Sequence, residues 1–565
     1  MMRTPSRFLR FTVILASLAL IGAACAKKTT TTGAPPGAGK MIEGGTLRLA
    51  GVVGESGPDS MNPYVATSQS SYAFFREIYP YLVVYNDTYD DFVGDFAMNW
   101  EVSEDGKTWT FHTQPDAGWS DDEPLTANDA LFTIETALMP GSGWTATTSH
   151  IKNVTAPDEN TLVIEYDTEV GNVLSQLQQM PILPEHVWGP VAKKGVKALK
   201  EVPDKAPFVS GGPWVLQKYS PDEFALFEQN PNWYGQKPHI DSWGAQFFKN
   251  DEARVSALKS GEADLVGGLP PSGVDPLKAA GFVVNESPGA EFHDIIFNSN
   301  PKPIKHEELK DPQLRLALEY ATDRQRLIDT TQLGFATPGT TIVPPITGKW
   351  HNSSIKPLPF DLEKAKQILD EAGYEDTDGD GVRETPDGSP MSYEMMSQNG
   401  LPGINRVAEI LKEDWGKIGV EITHRPLEYN ALWEANQAPI NEKTGIGEYT
   451  QFDIILWDWV PLQDPDFMLS VVLCDQLSIW SDTAYCNKEY DKMYEQQGIA
   501  IDQKERKDIV WQMQDILYQD KPYIVMYYIE ALFAYSPKWE GFLPSPQGPV
   551  NDLNRNTLLQ AHQVA

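Results

Sequence analysis

Apolar side chains recur at helical spacing in three stretches of the C-terminal half of the chain. The first stretch follows Asp311 and Pro312, which suit an N-cap and a first helical residue. Such stripes predict amphipathic helices whose apolar faces pack into a core. The stripes are Leu314, Ala317, Leu318, Ala321 and Ile328; Leu362, Ala365, Ile368, Leu369 and Ala372; and Val407, Ile410, Leu411, Trp415 and Ile418.

Strand and turn signals lie between and before these stripes. Asp105 and Gly106 precede alternating Trp109 and Phe111, a pattern that predicts a β-hairpin. Thr126 with Asp129 three residues later predicts a capped helix. Strands are expected at 161–166, 420–425 and 452–457. The first third therefore reads as mixed α and β, and the C-terminal half as an α/β domain.

The N-terminus has the pattern of an export signal. Arg3, Arg7 and Arg10 precede an apolar run that is shorter than the roughly 20 residues needed to span a bilayer. Small residues then lead to Cys25, as in the lipobox of bacterial lipoproteins, although Gly22 stands where that motif usually has leucine. We expect a signal peptide at 1–24, a lipidated Cys25 and a flexible tether at 25–44. The alternative is an ordinary signal peptide with an incidental cysteine.

Charge and composition narrow the functional classes. The formal net charge is −34, and loss of the three signal arginines makes it three more negative, which argues against a nucleic-acid partner. The composition, 41% apolar and 22% charged, is that of a globular protein. Lys40 follows a glycine but lacks the neighbouring residues of a Walker A loop.

Two cysteines, Cys474 and Cys486, remain besides Cys25. Twelve residues apart in an exported protein, they favour a disulfide over a reactive or metal-binding pair, because no Cys-x-x-Cys spacing or neighbouring histidine supports the latter.

An ordered series of short segments resembles one family, the extracellular solute-binding proteins of peptide and nickel ABC importers, called family 5. The resemblance covers essentially the whole mature chain. The segments are Met61-Asn62-Pro63, the 100–111 hairpin, Leu125 to Asp129, Ile182 to His186, Gly211 to Trp214, Asn230 to Tyr234, Leu258 to Asp264, Asp311 to Arg324 and Asn487 to Asp491.

The resemblance implies an α/β protein of the two-lobed periplasmic-binding type (type II, large class) with an extra inserted α+β domain. Lobe I is expected at 45–72, 207–300 and 533–565, the inserted domain at 73–206, and lobe II at 301–532. The lobes would close on a ligand by hinge motion. The implied partners are an ABC permease with a cytoplasmic ATPase, and the membrane through the lipid anchor; the protein is expected to be a monomer and to require no cofactor.

The expected ligand region is 457–467, where the family lines its cleft. Aromatic walls and a carboxylate suit a peptide's backbone and its ammonium group. In the peptide binders an aspartate follows the tryptophan by a few residues, and here Val460 or Pro461 takes its place. Asp458 or Asp464 could substitute, or both could be loop caps. The candidate ligand residues are Trp457, Asp458, Trp459 and Asp464, with Tyr64, Trp144, Tyr429 and Trp433 as further candidates whose alternative is plain packing.

A separate acidic loop is typical of calcium sites. Asp376, Asp378 and Asp380 occupy positions 1, 3 and 5 of a twelve-residue span that Asp387 closes. Position 12 is Asp rather than Glu, and Pro386 prevents the usual exiting helix. A structural Ca²⁺ and a metal-free acidic turn both remain open.

We therefore expect a receptor that binds an oligopeptide without chemistry. No hydrolase motif is found, so an enzyme has no positive support. The alternatives are the same receptor role for a sugar, an amine or a metal chelate; a surface sensor or adhesion lipoprotein without transport; and a secreted hydrolase.

Overall fold

The computed structural model describes residues 40–565 except 53–56, 145–147, 149, 302–304, 400–402, 437–451, 478–480, 544 and 546–554. The expected signal peptide and Cys25 lie outside these described residues. Across the described ranges, no helix combines the length and the apolar character that a bilayer crossing requires.

The described part of the chain alternates strands and helices. The strands are β1 (Met41–Ile42), β2 (Thr46–Ala50), β3 (Val83–Tyr85), β4 (Phe92–Gly94), β5 (Ala97–Val102), β6 (Thr108–Thr113), β7 (Ile151–Asp158), β8 (Thr161–Tyr166), β9 (Trp214–Ser220), β10 (Phe224–Gln229), β11 (Ser242–Gln246), β12 (Leu265–Val266), β13 (Val283–Phe297), β14 (Ala336–Pro338), β15 (Ser392–Gln398), β16 (Glu421–Leu427), β17 (Ile454–Trp459), β18 (Tyr523–Tyr535), β19 (Trp539–Glu540) and β20 (His562–Val564).

The α-helices are α1 (Gln69–Ile78), α2 (Ala127–Ala137), α3 (Val173–Leu177), α4 (Glu185–Ala192), α5 (Val196–Lys200), α6 (Asp251–Ser260), α7 (Pro271–Ala279), α8 (Pro312–Tyr320), α9 (Arg324–Thr331), α10 (Leu362–Glu371), α11 (Ile404–Gly416), α12 (Tyr429–Asn436), α13 (Asp466–Ser470), α14 (Lys488–Ile499), α15 (Gln503–Asp520) and α16 (Asn556–Gln560). Short 3₁₀ turns lie at Glu307–Lys310 and Pro345–Trp350.

One large sheet organises the molecule, and two long strands run through it. β13 and β18, of 15 and 13 residues, pair antiparallel along most of their length. On one side β13 carries β17, β15 and β16. On the other side β18 carries β12, β2, β11, β10 and β9. We call these the second half and the first half of the sheet; β14 adds to β18 within the second half.

The two halves meet at an irregular point of the long strands. The β13–β18 register shifts between Pro288 and Phe292, and Gly289 lies in this bulge. A Cβ on Gly289 would lie 2.4 Å from the carbonyl oxygen of Ile529, so the close backbone approach requires glycine. A bulge bends its strand and increases its twist, and here it marks the point where the chain passes from one half to the other.

The apolar cores divide the molecule into two bodies. β5–β8 form a separate four-stranded sheet, which with α2, packed on β7 and β8, and the adjoining loops makes a four-stranded unit. Phe111 and Trp119 of this unit share one continuous core with Phe227 and Trp243 of the first half. The second half has its own cores, around Leu456 on one face and Ile455 on the other. The first half and the four-stranded unit therefore form one body, and the second half forms another.

Most elements predicted from pattern are confirmed. The hairpin joins β5 to β6 with Gly106 at φ +67°, and α2 carries the Thr126–Asp129 capping box. The stripe from Leu314 to Ile328 was expected to be one helix and forms two, α8 and α9. The break occurs because Asp323 caps the second helix by accepting from the backbone N–H of Arg326.

Candidate functional site

Parallel strands in both halves end at the junction between the two bodies. In the second half β15, β16 and β17 are parallel, and Trp459 at the end of β17 pairs with Phe292, beside the bulge. In the first half β2 is parallel to β11 and β12, and β12 ends toward the same joining segment. Ligands of α/β sheets bind outside the carboxyl ends of strands, so this strand edge is the candidate site.

Three aromatic side chains gather at the strand edge of the second half. The ring of Trp457 lies 5.9 Å from that of Tyr429 and 6.2 Å from that of Trp433, centroid to centroid. Tyr429 begins α12 directly after β16, and its side chain is 51% exposed. The structure thus brings together three of the predicted ligand residues, which form a wall that can stack on a ligand.

Asp458 lies on the opposite face of the same strand. It pairs across the sheet with His293, whose Nε2 is 3.1 Å from a carboxylate oxygen of Glu291. Burial raises the pKa of Asp458 to about 6, with nearby Glu291 adding to the rise and His293 opposing it. Because Asp458 is buried, its ionised form at neutral pH raises the free energy of the folded protein. A bound cation beside the carboxylate would offset this free energy.

Two further carboxyl groups lie beneath the aromatic wall, and sequence reasoning missed both. Asp482 accepts a hydrogen bond from Trp459 Nε1 at 2.9 Å and another from the hydroxyl of Tyr523, while burial raises its pKa to about 6. Asp294 is fully buried, and among the described residues neither of its oxygens has a hydrogen-bond partner. Burial raises its pKa well above the ordinary value. Asp294 could have been recognised from the sequence, because it is an aspartate beside the apolar residues Ile295 and Ile296 of β13.

The other predicted ligand residues lie elsewhere. Asp464 is buried and forms a two-pronged pair with Arg506, both oxygen–nitrogen distances being 2.7 Å. Tyr64 is buried, its hydroxyl 2.6 Å from that of Thr136, and together with Trp144 it lines a narrow cavity in the four-stranded unit. These three side chains do not join the aromatic wall.

Comparison with known proteins assigns the family. A model described as bacterial extracellular solute-binding proteins, family 5 Middle, matches residues 91–476. The chain belongs to this family. Its members bind solutes and are not enzymes.

Individual relatives have low sequence identity to this chain but align with most of its length. Protein XP55 of Streptomyces lividans is 28% identical over 463 residues, which is 80% of this chain and 78% of the relative. The dipeptide-binding protein of Escherichia coli is 24% identical over 526 residues, 87% of this chain and 92% of the relative.

Two solved structures share the fold. The oligopeptide-binding protein AppA of Bacillus subtilis, in complex with a nonapeptide, matches with a TM-score of 0.73 at 21% identity, covering 93% of this chain and 100% of AppA. NikZ of Campylobacter jejuni, in complex with Ni(L-His), matches with a TM-score of 0.74 at 21% identity, covering 92% and 99%. The expected α/β two-lobed fold is thereby confirmed.

The disulfide predicted in this family-5 protein is present. Cys474 and Cys486 are joined, with their Cα atoms 4.4 Å apart. The closed loop contains Asp482, so the covalent link constrains the segment that supplies one of the buried carboxyl groups.

In the acidic loop, the carboxylates that lie close together differ by one residue from the predicted set of metal ligands. Ligand oxygens of Asp376, Asp378, Asp380 and Glu384 all lie within 4.8 Å of one another. Asp387 does not belong to the group; its carboxylate instead accepts from the hydroxyl of Thr385 and the backbone of Ser389. Glu384 was missed because the twelve-residue template places the last ligand three residues later.

The pKa of Asp458 predicts a pH-dependent stability. Because the folded-state value of about 6 lies above the ordinary value, the free energy of unfolding should fall as pH rises from about 4 through 6. Asp458→Asn should remove the share of this fall that Asp458 contributes, while Asp482 and Asp294 retain theirs, and stabilise the ligand-free protein at pH 8 by roughly 2–3 kcal/mol, the equivalent of two pKa units. Urea unfolding between pH 4 and pH 8 measures it. The exposed Asp475→Asn is the control, and equal pH slopes in the two variants would contradict the assignment.

Proposed function

We propose that this protein is the extracytoplasmic receptor of an ABC importer and that it captures an oligopeptide between two closing lobes. The observation that carries the proposal is the strand edge. There the aromatic wall lies on one face of β17 and the costly carboxyl group of Asp458 lies on the other, at the junction of two bodies joined by two long strands. A permease and a cytoplasmic ATPase would receive the peptide.

The proposed lobes follow the two bodies. Lobe I would comprise 45–72, 207–300 and 533–565 with the inserted domain at 73–206, and lobe II 301–532. The shared core of the first half and the four-stranded unit supports treating them as one moving body. The bulge at Gly289 is the proposed hinge.

The ligand class follows from the chemistry of the edge. In this proposal the peptide crosses the end of β17, so that its terminal ammonium group pairs with Asp458 on one face while peptide planes stack on Trp457 and Tyr429 on the other. The AppA complex with a nonapeptide supports a peptide. The NikZ complex with Ni(L-His) supports the rival, a metal chelate, and sugars or amines also suit aromatic walls.

Native mass spectrometry of residues 41–565, purified without denaturation from the native host, tests the proposal. A ladder of bound masses differing by amino-acid residues supports a sequence-tolerant peptide receptor. A single small-molecule mass overturns the peptide assignment in favour of a chelate, sugar or amine. Asp458→Asn should lower affinity for a recovered peptide by at least tenfold, whereas Asp475→Asn should leave it unchanged.

Anchoring is a separate part of the proposal. Cleavage before Cys25 and diacylation of its thiol would hold the receptor on the outer face of the membrane. Metabolic labelling with a radioactive fatty acid tests this. Label should enter the wild type and be absent from Cys25→Ser, and equal labelling would overturn the anchor.

We also propose a structural Ca²⁺ at the acidic loop, based on the four converging carboxylates. At 1 mM Ca²⁺ a site of about 10⁻⁴ M affinity would raise the melting temperature by about 1 °C. Replacing Asp376 and Glu384 together by Asn and Gln should abolish the rise measured by calorimetry. Asp387→Asn, outside the group, is the matched control; a rise that survives the double replacement refutes the site.

A further inference from the structure

Two carboxyl groups lie buried behind the aromatic wall. Asp294 is fully buried, and no described residue completes a hydrogen bond with either of its oxygens. Asp482 is 2% exposed and lies close enough for its charge to act on Asp294. Tyr523 of β18 donates to Asp482 and lies two residues from Val525, so both β18 side chains point to one face of the sheet. Val525 is the cross-strand partner of Asp294, so the two carboxyl groups, here called the buried pair, share that face.

The titratable groups around the buried pair do not neutralise it. Asp458 on β17 adds negative charge, and burial raises the pKa values of the phenols Tyr523 on β18 and Tyr490 on α14. His293 points to the other face of β13, where Glu291 contacts it. Among the residues that the structure describes, neither member of the pair forms an ion pair with a basic side chain. Because two neighbouring ionised carboxylates in an apolar core repel each other and lack water, at least one keeps its proton at neutral pH.

Asp482 connects the buried pair to both elements of the aromatic wall. Its carboxylate accepts from Nε1 of Trp459, which ends β17, and its backbone oxygen accepts from the side-chain amide of Asn436 at 2.5 Å. Asn436 ends α12, the helix that supplies two of the three rings of the wall. The third ring, that of Trp457, is the cross-strand neighbour of Asp294. A displacement of Asp482 would therefore move both sides of the wall.

Asp482 is the member of the buried pair that can move. Asp294 lies in β13, an interior strand that is paired with β17 on one side and β18 on the other. Asp482 lies in no helix or strand, inside the loop that the Cys474–Cys486 disulfide closes. Repulsion between the two carboxylates would therefore displace this loop, and the disulfide would limit the displacement to a local shift.

We propose that the buried pair is a proton switch for the solute site: the aromatic wall is in place while the pair retains a proton, and it loosens when both carboxyl groups ionise. This inference concerns the regulation of the proposed function and rests on it. Burial raises the pKa of Asp482 to about 6 and that of Asp294 well above its ordinary value, so the wall is stable at acidic and neutral pH and weakens as pH rises. The receptor therefore holds its solute at neutral pH and releases it at alkaline pH.

Fluorine NMR of the protein labelled with 5-fluorotryptophan follows the wall without solute. The resonances of Trp433 and Trp457, assigned by replacing each with phenylalanine, should titrate together as pH rises from 6 to 10. Asp294→Asn cannot ionise and should abolish this titration, and Asp482→Asn should do the same from the other member of the pair. Asp515→Asn, which removes a carboxyl group of raised pKa outside the wall, should leave the titration intact. A titration that persists in both pair variants, or is absent from the wild type, overturns the switch.

Calorimetry with tetra-alanine tests the effect on binding. The ammonium group of the peptide also titrates in this range, so each variant is compared with the wild type at the same pH. The affinity of Asp294→Asn relative to wild type should rise by about tenfold per pH unit where Asp294 ionises, because one proton is lost per molecule. If the wall resonances titrate as stated while tetra-alanine binds at no pH, the peptide function fails and the switch stands. If tetra-alanine binds and the affinity ratio is the same at pH 7 and pH 10, the switch is overturned and peptide binding stands.

Discussion

Gly171→Ala is expected to leave both bodies folded and to weaken solute binding by about 30-fold, by preventing their contact. The backbone N–H of Gly171, in the four-stranded unit, donates to the carbonyl of Gly498 across the junction at 2.7 Å. A Cβ on Gly171 would lie 2.2 Å from the carbonyl oxygen of Ala500. Because a backbone atom cannot move aside as a side chain can, the added methyl group destabilises the arrangement in which the two bodies are in contact. A loss of about 2 kcal/mol in that arrangement corresponds to about 30-fold weaker solute binding.

Gly498→Ala is the matched control, since a Cβ at that position meets no atom within 4 Å. Small-angle scattering should show a larger radius of gyration for Gly171→Ala with solute present, while Gly498→Ala remains compact. Equal affinities and equal radii in the two variants would show that this contact has no part in closure.

Asp464→Ala is expected to lower the free energy of unfolding by about 3–5 kcal/mol. The guanidinium of Arg506 is buried, and its other hydrogen bond, from Nε to Gln497 at 3.0 Å, cannot neutralise its charge. Removing Asp464 leaves the buried guanidinium without a carboxylate in direct contact among the described residues, with Asp466 acting only from beyond ion-pair distance, and this costs far more than the pair itself contributes.

Denaturant unfolding of three variants separates these effects. The double replacement Asp464→Leu with Arg506→Met should recover most of the loss, because no charge is then buried. Asp508→Ala, which breaks the exposed Lys504–Asp508 pair, should change stability by less than about 1 kcal/mol. A loss of similar size for Asp464→Ala and Asp508→Ala would mean that burial does not decide the cost.

The fold could be predicted largely because its signals are local. Thr126 and Asp129 are three residues apart, and the capping box they form needs no tertiary context. The aromatic wall could also be predicted from the sequence, for a related reason. Trp457 ends a recognisable strand, while Tyr429 and Trp433 begin a helix after the neighbouring strand, so the edge of a parallel sheet brings them together.

The remaining site residues depend on contacts that sequence spacing does not reveal. Asp464 was a candidate for the ligand's ammonium group, but Arg506, 42 residues away, occupies it. Asp294 and Asp482 come from distant segments, and burial alone makes them unusual. In both cases the deciding fact is which side chain lies opposite, and pattern along a single chain carries no information about it.

The long strands also govern how the protein acquires its structure. Ser287 and Ala531 face each other across the β13–β18 pair, 244 residues apart in sequence. β18 also pairs with β12 in the first half, so both halves of the sheet lack an interior strand until it arrives. Closing so large a loop is slow, because its entropy cost is offset only once β18 has paired with strands of both halves. Synthesis must therefore proceed past Tyr535, more than five hundred residues into the chain, before either body has all the strands of its sheet, so neither body can finish folding ahead of the other.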